Sequence, residues 1–280
     1  MKNRPSQHLG PDSDLYIYYF EGRLPTRAGI RTNAFIGNWE EDGFSFLFFR
    51  SPAEKTVNRL VSTYPALQLL DSYHMTYAQW QGSRIEPVQV GRFLLRPPWI
   101  DALPENGAIE IVLDPGVVFG TGTHPTTRDC LEAIDRVCTA GEVPRMLDLG
   151  TGTGVLALAA IKLGCREAMA VDFNFLAAGT TLKNVRLNDM DRQILVINGQ
   201  AEACTGYRAD LLVANIHYDV MHRIVRTAGF LEKKWFILSG LLRSEAKRIS
   251  DYLANQPVTI VKRWSRDGIW HTFLGKTGTY

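Results

Sequence analysis

From about residue 109 onward, short apolar runs alternate with segments whose apolar residues recur at helical spacing. The runs cover 146–149, 168–173, 194–197, 209–214 and 235–241, each of strand length. Residues 126–138, the segment after Gly154 and residues 243–254 carry the helical pattern. Nearly continuous apolar strands alternating with helices predict a doubly wound α/β sheet covered on both faces. Two further runs, 258–264 and 268–274, follow each other without a helix and predict a C-terminal antiparallel hairpin.

The first third is patterned differently. Residues 15–20 form an aromatic and β-branched run, and 34–39 with 44–49 read as two hairpin strands around Glu40, Glu41, Asp42 and Gly43. Ser51, Pro52 at a first helical position and Glu54 in the first turn predict a helix to about Thr63. A last apolar stretch, 67–80, closes the unit as a strand with an irregular end. Residues 1–81 are thus expected to form a small α+β domain. Between Gly82 and Gly107, Pro87, Pro97, Pro98 and Pro104 forbid a long helix and favour an extended connection, so 82–107 reads as a proline-rich linker and 108–280 as the larger domain.

Composition narrows the classes. With 45% apolar and 21% charged residues the chain has the means to bury a core. The net charge of +2 comes from bases scattered among acids, so no phosphate-binding stripe is expected and nucleic acid is disfavoured as a partner. The polar start, residues 1–14, lacks the apolar core of a secretory signal, and no run reaches the roughly 20 apolar residues of a membrane span. A cytoplasmic location is expected, with Cys130, Cys138, Cys165 and Cys204 as free thiols.

The densest chemical signal follows the run at 146–149, which contains Asp148 and leads into Gly150, Thr151, Gly152, Thr153 and Gly154 ahead of a helix. Glycines at alternate positions remove the Cβ atoms that would bar a ligand, and a helix N-terminus offers unpaired N–H groups. Such a turn suits a dinucleotide or the adenosyl and methionine parts of S-adenosylmethionine. A dinucleotide fingerprint needs its third glycine at 155, where this chain has Val155, so the spacing leans against NAD.

Other strand ends supply partners. Asp172 lies two dozen residues past the turn, where a carboxylate accepts both hydroxyls of a ribose, or else caps the next turn. The run at 194–197 leads to Asn198, Gly199 and Gln200, where side chains meet the adenine edge in such sheets. Asn215, at the end of the run at 209–214, is a candidate for the methionine end or the incoming nucleophile, or a plain turn former. The segment 119–127, with Phe119, Thr123, His124 and Thr127, reads by itself as a Gly- and Thr-rich loop capping a helix at Thr126. His124, His217, His222 and His271 lack metal-ligand spacing, so no metal is expected.

Together, V-G-R-F-L-L-R-P-P-W at 90–99, F-G-T-G-T-H-P-T-T at 119–127 and A-N-I at 214–216 resemble the ribosomal protein L11 methyltransferase family over roughly residues 88–280. The resemblance implies a Rossmann-like methyltransferase sheet and an amino-terminal ferredoxin-like substrate domain. It also implies that Thr127, Gly150, Asp172 and Asn215 contact S-adenosylmethionine; the glycine turn adds Gly152 to these cofactor-binding residues, and Phe119, Thr123, His124, Thr151 and Gln200 are possible further contacts. Two features depart from the family. His217, Tyr218, Asp219 and Val220 stand where relatives carry small residues and a proline, and residues 21–33, with Gly22, Pro25 and Gly29, make a poor first helix.

The resemblance implies methyl transfer to lysine or α-amino nitrogens of a large-subunit ribosomal protein. Absence of N-P-P-Y or D-P-P-Y after the fourth strand agrees with aliphatic amines over planar nitrogens. Asn215 is expected to orient the amine, helped by His217, Tyr218 or His124. Two alternatives stay open: a small-molecule methyltransferase with the front domain as lid, and a non-catalytic, cofactor-binding assembly factor. Self-association is also open.

Overall fold

A computed structural model describes residues 9–25, 28–82, 86–101 and 107–278. Residues 1–8 of the polar start, and Pro104, lie outside the described residues. The chain divides into two units, Met1–Ile85 with Asn174–Leu176, and Glu86–Phe173 with Ala177–Tyr280. No helix among the described residues is long and apolar enough to cross a membrane.

The first unit contains β1 (Asp14–Glu21), β2 (Phe35–Glu41), β3 (Phe44–Phe49), α1 (Glu54–Thr63), β4 (Gln68–Thr76) and the single turn α2 (Tyr77–Trp80). Its sheet is antiparallel throughout in the order β2-β3-β1-β4. Tyr18, Phe20, Leu47 and Phe49 from the strands pack with Val57 and Leu60 of α1. A ferredoxin-like sheet of this order carries a helix between its first two strands; residues 22–25 and 28–34 contain none. The β2–β3 loop is shorter than the four residues expected, turning on Asp42 and Gly43 alone, both at positive φ.

Helix α1 starts two residues later than Pro52 suggests, at Glu54, with Ala53 as a cap lacking any side-chain bond. The reason is long-range. The Tyr18 hydroxyl accepts the Ala53 N–H at 2.9 Å and donates to the Glu54 carboxylate at 3.0 Å, so a strand tyrosine does what a local Ser cap would do.

In the second unit, β5 (Val88–Val90), β6 (Phe93–Arg96) and β7 (Ile109–Val112) form a small sheet. The segment read as a linker therefore carries two strands, and from Glu86 onward it belongs to this unit. Val90, Phe93 and Leu95 are buried with Ile111, and Pro97 and Pro98 sit just past β6, where they cost no ladder bond.

The remaining elements are α3 (Pro125–Ala140), β8 (Arg145–Leu149), α4 (Val155–Lys162), β9 (Glu167–Asp172), α5 (Phe175–Leu187), β10 (Ile194–Asn198), β11 (Leu211–Asn215), α6 (Tyr218–Ile224), α7 (Ala228–Leu231), β12 (Trp235–Leu242), α8 (Arg243–Leu253), β13 (Val258–Arg266) and β14 (Trp270–Thr277). They build a seven-stranded sheet, β10-β9-β8-β11-β12-β14-β13. Strands β8 to β12 run parallel, and the β13–β14 hairpin is antiparallel.

Side chains alternate between two cores. Met146, Ala168, Leu211 and Ile237 share one with α3 and α4, while Leu147, Val171, Leu212 and Leu238 share the other with α6, α7 and α8. Helix α4 is buried along Val155–Ile161, which explains its apolar character all round. After β8 the chain winds outward through β9 and β10, then returns to β11 on the other side of β8. The crevice at the carboxyl ends of β8 and β11 is therefore the switch point where such sheets bind ligands.

Close packing at the hairpin gives a test. Gly275 faces Phe236 across the β12–β14 ladder, and a Cβ there would lie 2.1 Å from the ring. Gly275→Ala is expected to destabilise the protein by about 1–3 kcal/mol in urea denaturation. Gly141→Ala, which meets open space at φ 172°, is expected to change stability little.

Candidate active site

Strand β8 ends in a turn whose Gly150 and Gly152 adopt φ of +75° and +57°. Side chains are barred there twice over, since a Cβ on Gly152 would stand 2.5 Å from the Phe119 carbonyl oxygen. The turn is pinned to β9: Gly150 and Thr151 donate to the Val171 carbonyl at 2.9 and 3.0 Å, and Gly152 N–H donates to Asp172 Oδ2 at 3.0 Å. Asp172 is 8% exposed and directs its carboxylate at the glycines. Strand order thus brings Gly150, Thr151, Gly152 and Asp172 together. Phe173, next in the chain after Asp172, is 61% exposed, an aromatic residue that the sequence reading did not single out.

The loop before α3 lies against this turn. Thr153 N–H donates to the Phe119 carbonyl at 3.1 Å, and the Thr153 hydroxyl donates to the Gly120 carbonyl at 2.7 Å. Upstream, two asparagines four residues apart, Asn184 on α5 and Asn188 just past its end, hold the same stretch of chain. Asn188 exchanges bonds with the Val112 backbone at 3.0 and 2.7 Å. Asn184 accepts the Asp114 N–H at 2.8 Å and donates to the Asp114 and Thr153 carbonyls at 2.9 and 2.8 Å. Their i, i+4 spacing in the sequence was the available signal.

The start of α3 corrects the expected cap. His124, not Thr126, is the N-cap, with Nδ1 accepting the Thr126 N–H at 3.3 Å and Pro125 in the first turn. Burial lowers the His124 pKa, which keeps the ring neutral and able to accept. Its ring stands edge-on to Phe119 and Trp270. Thr127 is 1% exposed, and its hydroxyl has no hydrogen-bond partner among the described residues. Thr123 is exposed and bonded to Thr121, while Phe119 meets the turn through its backbone.

Asn215 ends β11 in register with Ser239 of β12, half-buried. Ile216 covers Gly150, where a Cβ would meet its side chain at 2.9 Å. His217 caps α6 through Nδ1, accepting the Asp219 N–H at 3.4 Å. On the β10 side, Asn198 donates to the Asp172 and Phe173 carbonyls at 3.0 and 2.9 Å, so it braces the Asp172 backbone. Gln200 is exposed two residues further on, and no bond ties its side chain to the turn.

Beneath the glycines, Asp148 is wholly buried. Burial pushes its carboxyl up to about 7, opposed by the Thr151 hydroxyl, which donates at 2.7 Å, and reinforced by the nearby Asp172 charge.

The family model for ribosomal protein L11 methyltransferase (PrmA) matches residues 66–277. The chain belongs to this family. A ribosomal protein L11 methyltransferase of Halalkalibacterium halodurans is 34% identical over 216 residues, which are 76% of this chain and 68% of the relative. Another, of Geobacter metallireducens, is 36% identical over 203 residues, 69% of this chain and 63% of the relative. The chain covers 53–68% of the length of the curated relatives it matches. The crystal structure of a ribosomal protein L11 methylase from Lactobacillus delbrueckii subsp. bulgaricus superposes with a TM-score of 0.62 at 26% identity, covering 69% of this chain and 98% of that one. The matched span takes in the end of the first unit from residue 66 and nearly all of the second, while residues 1–65 precede it.

The buried carboxyl sets a pH dependence. Folding raises the Asp148 pKa from an ordinary 3.8 to about 7, so the unfolded chain releases this proton first as pH rises. Its contribution is intact below pH 4 and lost on rising through pH 7. Urea midpoints of the unaltered protein should therefore fall relative to Asp148→Asn between pH 5 and pH 8, and a constant difference would refute the shift.

Proposed function

We propose that the chain binds S-adenosylmethionine in the crevice between β8 and β11 and transfers its methyl group to lysine or α-amino nitrogens of ribosomal protein L11. The observation that carries this reading is the Gly152–Asp172 pair at the switch point of a sheet in this family. A glycine-lined turn beside a strand-end carboxylate matches a nucleoside, which needs close backbone and an acceptor for two ribose hydroxyls.

Two further features agree with the ligand's chemistry. The Phe173 ring gives a purine a face to stack on. The Thr127 hydroxyl, buried and unpartnered, is a polar group of the kind a ligand satisfies.

S-adenosylmethionine, when bound, supplies a methyl group already activated on a sulfonium, so the protein's task is proximity, alignment and exclusion of water. Asp172 holds the ribose while Gly150 and Gly152 let the backbone approach. The loop at 119–124, closed against the turn through Thr153, keeps water from the reacting centre. Asn215 orients the neutral acceptor amine through a carbonyl oxygen. An amine attacks only when unprotonated, and a half-buried crevice favours that form. We assign recognition of the protein substrate to the first unit, whose edge strand β4 exposes Leu69, Leu70 and Tyr73.

Incubating the protein with labelled S-adenosylmethionine and undermethylated ribosomal proteins should label the L11 band; a labelled metabolite pool without a labelled band would favour a small-molecule acceptor. Asp172→Ala is expected to weaken S-adenosylmethionine binding about 100-fold in calorimetry, the loss of two charge-assisted hydrogen bonds. Asn215→Ala should slow turnover, and an unchanged rate would remove Asn215 from the mechanism.

A further inference from the structure

Strand β12 outruns the parallel sheet beside the crevice. Its pairing with β14 slips between Leu238 and Leu241, where Gly240 holds φ at +84°, and the strand then continues to Leu242 opposite Trp270. Such a bulge re-aims the residues that follow it. Here it leaves Leu242 42% and Ile269 52% exposed, lining a shallow concavity with Arg243, Ser244 and Lys247.

The charges around this concavity are unbalanced. Arg243 and Lys247 have no ion-pair partner among the described residues. Glu245, between them on α8, is turned to the Leu242 N–H at 2.8 Å, where it caps the helix. Two exposed aliphatic side chains are thus framed by two unneutralised cations.

Position relates the concavity to the crevice. Asn215 pairs with Ser239, and Leu242 lies three residues further along the same strand. At roughly 3.3 Å per residue and about 4.8 Å between strands, a regular strand would put Leu242 about 11 Å from Asn215, an upper bound because the bulge at Gly240 shortens the path. An extended chain covers that distance in about three residues.

We infer that this concavity is an acceptor subsite, holding an apolar side chain of the substrate protein about three residues from the methylated amine, with a neighbouring carboxylate paired to Arg243 or Lys247. The inference rests on the methyl-transfer reading above. An apolar floor with two cations suits an acidic, partly apolar polypeptide segment; it lacks the run of cations that a nucleic acid backbone requires.

Steady-state kinetics with whole ribosomal protein L11, made in cells lacking its methyltransferase, tests this. Ile269→Glu and Lys247→Glu are each expected to raise KM for L11 about tenfold, with kcat and S-adenosylmethionine affinity changed less than about twofold. Lys247→Arg should restore KM. If Ile269→Glu misfolds, seen as lost cofactor affinity, Ile269→Ser takes its place and should still raise KM about threefold. Unchanged KM in the charge-reversed and polar variants, with transfer intact, overturns the subsite alone. No transfer to L11 by the unaltered protein overturns the methyl-transfer reading and the subsite with it.

Discussion

A carboxylate held against a backbone amide, Asp172 Oδ2 at 3.0 Å from Gly152 N, organises the second unit's working edge. It couples the ends of β8 and β9 at the point where the sheet reverses its winding. Only a residue without a Cβ allows the Gly152 backbone to meet both Asp172 and the Phe119 carbonyl. The arrangement places a negative charge beside the crevice and close to Asp148, whose pKa is raised first by burial and further by that neighbouring charge.

Around that contact the structure is held mostly by amides. Asn184 satisfies three backbone groups and Asn188 and Asn198 two each, at strand ends and in the chain just beyond them, where the sheet ladder gives out. They fix the chain at Val112 and Asp114 and the exit of β9, while the Thr153 hydroxyl holds Gly120. The C-terminal hairpin adds a second brace. Asp129 on α3 is buried against Arg266 and Thr272, and Ser239 bonds Thr272 and the Thr126 carbonyl. The hairpin thereby fixes the helical turn that carries Thr127.

The first unit solves a different problem with one tyrosine. Its sheet lacks a helix between β1 and β2 among the described residues, so α1 is its main apolar cover. Tyr18 joins that helix to the sheet at its first turn. Strand β4 remains an open edge with exposed apolar residues, which natural sheets reserve for pairing or docking.

Much of this was legible beforehand. Apolar runs of strand length, alternating with helical periodicity, determined the doubly wound sheet and its terminal hairpin, because burial on both faces dictates composition locally. Alternate glycines marked the turn, since close backbone approach removes side chains wherever it occurs. What the sequence left undecided were matters of long-range pairing. The prolines from 87 to 104 read as a linker, yet Val90, Phe93 and Leu95 found a core to enter. The caps of α1 and α3 went to Tyr18 and His124, the first through a partner 35 residues away. Asp172 was a strand-end carboxylate until parallel register set it beside Gly152. Local propensity is written in neighbouring residues, whereas a partner's direction and distance exist only once the strands have been laid side by side.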